Sequence, residues 1–152
     1  MMADRLASLI GVTQQIGSHQ FLADEILRFA RRYDPQPFHV DPEAAKHSQF
    51  GELCASGWQT VAQWMQLNVR AGIALAEDVV ELGPSPGFQN LKWLRPVYAG
   101  DTISYARTIL SVRRTASRVG WSVYVIRAEG RNQNGDPVLE CECAALVRLA
   151  ET

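Results

Sequence analysis

Between residues 53 and 69 the chain reads LCASGWQTVAQWMQLNV, seventeen residues without one charge in a sequence that is 20% charged overall. Trp58, Val61, Ala62, Met65 and Val69 fall on one helical face and Trp64 and Leu67 widen it, while Gln59, Gln63, Gln66 and Arg70 leave only a narrow polar stripe. The pattern predicts a helix that is mostly enclosed. Its glutamines argue against a membrane span, and Ser56-Gly57 supplies a start with a side-chain cap. A helix of this kind needs another layer wrapped around it.

The second half of the chain provides that layer. After Gly72 the periodicity changes to two, with extended runs at 87–94, 101–113, 119–131 and 138–149. In the last run Leu139, Cys141, Cys143, Ala145, Val147 and Leu149 alternate with Glu140, Glu142 and Arg148, as antiparallel strands with one buried face do. The connectors are short and turn-forming: Ala99 to Asp101, Arg113 to Ser117, and NQNGDP with its Asn134-Gly135 signal. A further strand is expected near 11–19. The fold class is α+β, a long antiparallel sheet around a buried helix, as a single domain over 1–152.

Ahead of the central helix, residues 20–33 form a short amphipathic helix with Asp24 and Glu25 at its start and Arg31 and Arg32 at its end. Pro35 ends it, so DPQPFH is expected to be extended. Asp41-Pro42 then opens a short helix to about His47, with Asp41 as its cap. Two prolines, Pro35 and Pro37, thus separate Asp34 from His39. Taken alone, Asp34 reads as a turn residue and His39 as a half-buried histidine satisfied by a carbonyl.

Fifteen basic and sixteen acidic residues leave a net charge of -1, which provides no broad field for nucleic acid or an anionic membrane. Cys54, Cys141 and Cys143 have no zinc spacing and read as reduced thiols of a cytoplasmic protein, and His39, Asp41 and His47 match no metal motif. No apolar run suits a signal peptide or a bilayer span.

The order of these features, YDPQPFHVDPEAAKHSQFG, then ASGWQT, then LKWLRPVYAGDTI, resembles the MaoC-like dehydratases, the hot-dog-fold family that includes the (R)-specific enoyl-CoA hydratases. The resemblance covers nearly the whole chain. It implies reversible addition of water to a trans-2-enoyl thioester, with Asp34 and His39 as catalytic pair and the Gly57 backbone N–H, near Ser56, as donor to the thioester oxygen. Phe38 and Trp58 would border the acyl group, and Arg113, Arg114 and Arg118 are candidates for the phosphates of coenzyme A. Coenzyme A would enter as part of the substrate, with no separate cofactor and no metal, and two protomers would join as a homodimer or a dimer of dimers. Better-known hydratases carry a histidine before the glycine, where this chain has Ser56. A hot-dog thioesterase and a non-catalytic thioester-binding subunit are the competing expectations. The first is disfavoured because residues 53–76 contain no Asp or Glu.

Overall fold

In a computed structural model, which describes residues 7–72 and 78–150, β1 (Thr13–Gln20) leads into α1 (Ala23–Tyr33), α2 (Pro37–Val40), α3 (Pro42–Lys46) and α4 (Gly57–Arg70). Five strands follow: β2 (Val79–Leu82), β3 (Gly87–Trp93), β4 (Thr102–Arg114), β5 (Trp121–Arg131) and β6 (Pro137–Leu149). They form one antiparallel sheet in the order β1-β4-β5-β6-β2, with β3 also paired to β6. This is the hot-dog architecture, with α4 held by the sheet. Register shifts between Gln15 and Gly17 in β1, and between Ile109 and Ser111 in β4, bend the strands around the helix. Gly17 has φ +130°, and an added Cβ there would lie 3.2 Å from Leu67 of α4, so both its conformation and the close helix contact favour glycine.

Two aromatic side chains fasten α4 to β4. Trp64 is 1% exposed and its indole N–H donates to the Ala106 carbonyl at 3.0 Å. The buried Tyr105 hydroxyl donates to the Thr60 carbonyl at 2.9 Å. At the other end of the helix Arg107, also buried, donates to the carbonyls of Asn68 (3.4 Å) and Gly72 (2.6 Å), to Asn68 Oδ1 (2.8 Å) and to Gln14 Oε1 (3.0 Å). A guanidinium there complements the negative end of the helix dipole and satisfies carbonyls that have no intrahelical partner.

The enclosure of α4 departs from its amphipathic pattern. Trp64 and Thr60 are buried and so is Gln59 at 5% exposure, whereas Trp58 (51%), Met65 (46%) and Val69 (69%) are exposed in the single chain. The apolar stripe is therefore only partly covered: Trp64 is anchored to the sheet by its hydrogen bond, while Val61, Met65 and Val69 border an apolar cavity between the helix and strands β5 and β6. The predicted extended DPQPFH is also corrected. Only Asp34 to Gln36 is extended, because Pro37 occupies the first position of α2, where its fixed φ and missing N–H favour a helical turn. Helix α1 starts at Ala23, since Gln20 still pairs with Thr102 in β1. The short edge strand β2 was not foreseen, and the onset of alternation at 73–77 lies outside the described residues.

Two local expectations hold. Asp41 caps α3, its Oδ1 accepting from Glu43 N at 2.9 Å and Ala44 N at 3.2 Å. Gly135, at φ +81°, closes the β5–β6 hairpin. No helix among the described residues is long and apolar enough to cross a membrane.

Trp64→Ala should lower unfolding free energy by about 3–5 kcal/mol, the usual cost of emptying a large core site. Urea denaturation of both proteins, read by far-UV circular dichroism, checks this.

Candidate active site

Asp34 stands at the end of α1, its own N–H donating to Ala30 O at 2.8 Å. Pro35 prevents the helix from continuing, and α2 turns the chain back so that His39 N–H donates to Gln36 O at 2.9 Å. The two side chains thereby converge, His39 Nε2 lying 3.5 Å from Asp34 Oδ2. On the other side of the imidazole, Nδ1 is 2.6 Å from the carbonyl of Cys54. A carbonyl only accepts, so Nδ1 carries a proton, and in the neutral ring Nε2 presents its lone pair toward the carboxylate. The reading of His39 as a histidine satisfied by a carbonyl is thus true of one nitrogen and leaves the other free for chemistry.

Ser56 joins this pair to the central helix. Its hydroxyl donates to Asp34 Oδ2 at 2.7 Å while accepting the Trp58 N–H at 3.3 Å. Gln36 Nε2 donates to Asp34 Oδ1 at 2.8 Å. Burial opposes ionisation of Asp34, but the hydrogen bonds from Ser56 and Gln36 and the nearby His39 together outweigh it and hold the carboxyl below its ordinary pKa. Next in sequence, the Gly57 N–H opens a helix of 14 residues and has no acceptor among the described residues. It is a free donor at the positive end of a helix dipole. Cys54 is buried and its thiol is pushed up to about 11, by burial first and by Asp34 second, so it stays protonated and packs.

These groups border a cavity of about 460 Å³, lined by Asp34, Phe38, His39, Trp58, Trp93 and Arg95 among others. Phe38 packs edge-on against His39 at 4.6 Å between ring centroids and against Phe50 at 4.9 Å. A Cβ at position 57 would lie 2.5 Å from Cε2 and 2.8 Å from Cδ1 of the Trp93 indole, so glycine there makes room for the protein's own tryptophan.

Asp34, His39, Phe38, Ser56, Gly57 and Trp58 are therefore brought together as the sequence predicted. Arg113, Arg114 and Arg118 are not. None of them lines the cavity: Arg113 and Arg114 end β4, and Arg118 lies in the turn before β5. Arg118 stacks over the Trp121 ring at 3.8 Å. Sequence reasoning missed Trp93, Arg95 and the Cys54 carbonyl. The first two lie in the quoted run LKWLRPV, whose Pro96 and buried Val97 fix the chain beside Ala55 through a 2.8 Å bond from Ala55 N–H to Val97 O.

A family model described as a MaoC like domain matches residues 9–126. Among solved structures, a MaoC-like dehydratase from Rhodospirillum rubrum is similar, with TM-score 0.81, 34% identity and 94% of each chain covered. The uncharacterized protein YdeM of Bacillus subtilis is 27% identical over 139 residues, which is 91% of this chain and 94% of YdeM. A mesaconyl-CoA hydratase of Cereibacter sphaeroides is 25% identical over 104 residues, 68% of this chain but 30% of that protein.

The Asp34 environment predicts a pH effect. With a folded pKa below the unfolded one, its contribution to stability is fully present above the unfolded pKa and is lost as pH falls through the folded value. Ser56→Ala removes the shortest hydrogen bond to the carboxylate, so it should raise the Asp34 pKa and move that loss to higher pH. An acid titration followed by the NMR resonance of the Asp34 carboxyl carbon tests this, and an unchanged midpoint would refute it.

Proposed function

The chain belongs to the MaoC-like family, and on that premise we propose that it adds water reversibly to a trans-2-enoyl thioester such as an enoyl-CoA, giving the 3-hydroxyacyl thioester. The observation that carries this is the 3.5 Å approach of Asp34 to His39 beside the free N–H of Gly57. Conjugation with the thioester carbonyl makes Cβ electrophilic, so attack by water there has to be matched by removal of one proton from the water and delivery of one to Cα.

The ionised Asp34 and the Nε2 lone pair of His39 both accept hydrogen bonds, and a water held between them directs its oxygen at Cβ. As the C–O bond forms, the pair takes up the proton. The same pair returns a proton to Cα on the same face, so the sum is addition of H and OH across the double bond. Meanwhile negative charge grows on the thioester oxygen. The Gly57 N–H, backed by the α4 dipole, is a pre-oriented donor for it. Ser56 would keep the carboxylate aimed and ionised, while Phe38 and Trp58 flank the acyl group. This chemistry calls for no cofactor or metal of its own, coenzyme A being part of the substrate.

Assembly belongs to the same proposal. Strands β2 and β3 lie along the outer edge of the sheet and leave Val80, Leu82 and Phe88 exposed at 56%, 59% and 60%. An apolar edge of this kind invites pairing with a second copy.

Asp34→Asn and His39→Gln should each reduce turnover on an accepted enoyl-CoA by about 10²–10⁴-fold, with far smaller effects on thioester affinity. The double variant should lose little more than either single one, because the two act as a unit. Asp41→Asn should retain turnover, since asparagine also caps. Loss of the conjugated-thioester absorbance provides the assay, and near-normal turnover in either single variant returns that residue to a structural role. Light scattering at micromolar concentration should give twice or four times the mass of one chain; a fully active monomer contradicts the assembly.

A further inference from the structure

We propose that Trp93, together with Trp58, closes the acyl end of the Asp34–His39 cavity, so that the thioester it takes carries a compact acyl group. This rests on the hydratase reading above. The same helix and the same strand line two separate cavities. Trp58 and Thr60 of α4 and Trp93 of β3 border the site cavity, whereas Val61 and Met65 of α4 and Leu91 of β3 border a second, apolar cavity of about 590 Å³; no residue lines both. Both indoles border only the site cavity, where they meet edge-on at 5.0 Å between ring centroids and 79° between planes.

Core packing does not explain these rings. Trp58 is 51% and Trp93 44% exposed, while Trp64 and Trp121 are buried. Trp93 is nonetheless held in place. Its ring lies against the Cα of Gly57, and the next residue is pinned by a 2.9 Å bond from Leu94 N–H to Val138 O. A thioester whose oxygen accepts from the Gly57 N–H has its acyl chain beside that ring from the first bonds onward. A long tail then meets the indole pair before it reaches the apolar space behind it. The room exists, but Trp93 and Trp58 stand between it and the reacting carbons.

Calorimetric affinities of butyryl-, octanoyl- and dodecanoyl-CoA test the wall without depending on turnover. In the unaltered protein affinity should not increase beyond butyryl-CoA. In Trp93→Ala the octanoyl-to-butyryl affinity ratio should rise at least about tenfold, the scale on which apolar pockets discriminate added methylenes. Trp93→Leu should give a smaller change in the same direction, and serves if the alanine variant does not fold. Val61→Trp fills the second cavity: alone it should leave butyryl-CoA binding as it was, and in the Trp93→Ala background it should abolish the octanoyl gain. Affinity that already climbs through dodecanoyl-CoA, or an unchanged profile in the folded Trp93 variants, overturns the proposal. Crotonyl-CoA hydration is measured in parallel. A closed binding profile without hydration counts against the hydratase reading alone, and hydration with an open profile counts against the wall alone.

Discussion

The docking of α4 on β4 is the constraint on which the rest depends. A helix enclosed by a sheet has to use its backbone and side-chain polar groups within the protein, and here Trp64 and Tyr105 do so by bonding across the interface to the Ala106 and Thr60 carbonyls. Those bonds determine how far the helix is rotated and where along the sheet it sits. Arg107 fixes the C-terminal end. The N-terminal end, with its unused N–H, is then presented at one defined place.

Asp34, His39 and Ser56 are assembled around that place by main-chain geometry more than by side-chain attraction. Asp34 ends one helix, His39 lies in the turn that Pro37 begins, and the Cys54 carbonyl two residues before Ser56 orients the imidazole. Ser56 links carboxylate and helix through one hydroxyl. A histidine at this position would bring a second imidazole and a different charge balance. The serine instead favours an ionised carboxylate with a neutral donor beside it.

Much of this was legible in the sequence, and the exceptions share a physical cause. Strand alternation from Val138 onward, the Asp41-Pro42 cap and the spacing of Asp34 from His39 are local signals, set by period two, by capping and by proline. The expected enclosure of α4 is incomplete in one chain because apolar periodicity records which face avoids water, not which neighbour covers it. Met65 and Val69 are exposed in one chain and yet belong to the apolar stripe. Trp93 and Arg95 went unnoticed because nothing in their local spacing reveals that β3 ends against the first turn of α4. That contact is between residues far apart in sequence, and only the sheet register brings them together.

The contact between Gly57 and Trp93 also constrains the order in which descendants of this chain can change. Any side chain added at position 57 collides with the indole while Trp93 remains in place, whereas Trp93 can shrink without a change at 57. Routes that alter both positions are therefore directional, with position 93 giving way first. The glycine is constrained by its neighbour, while the neighbour is not constrained by the glycine.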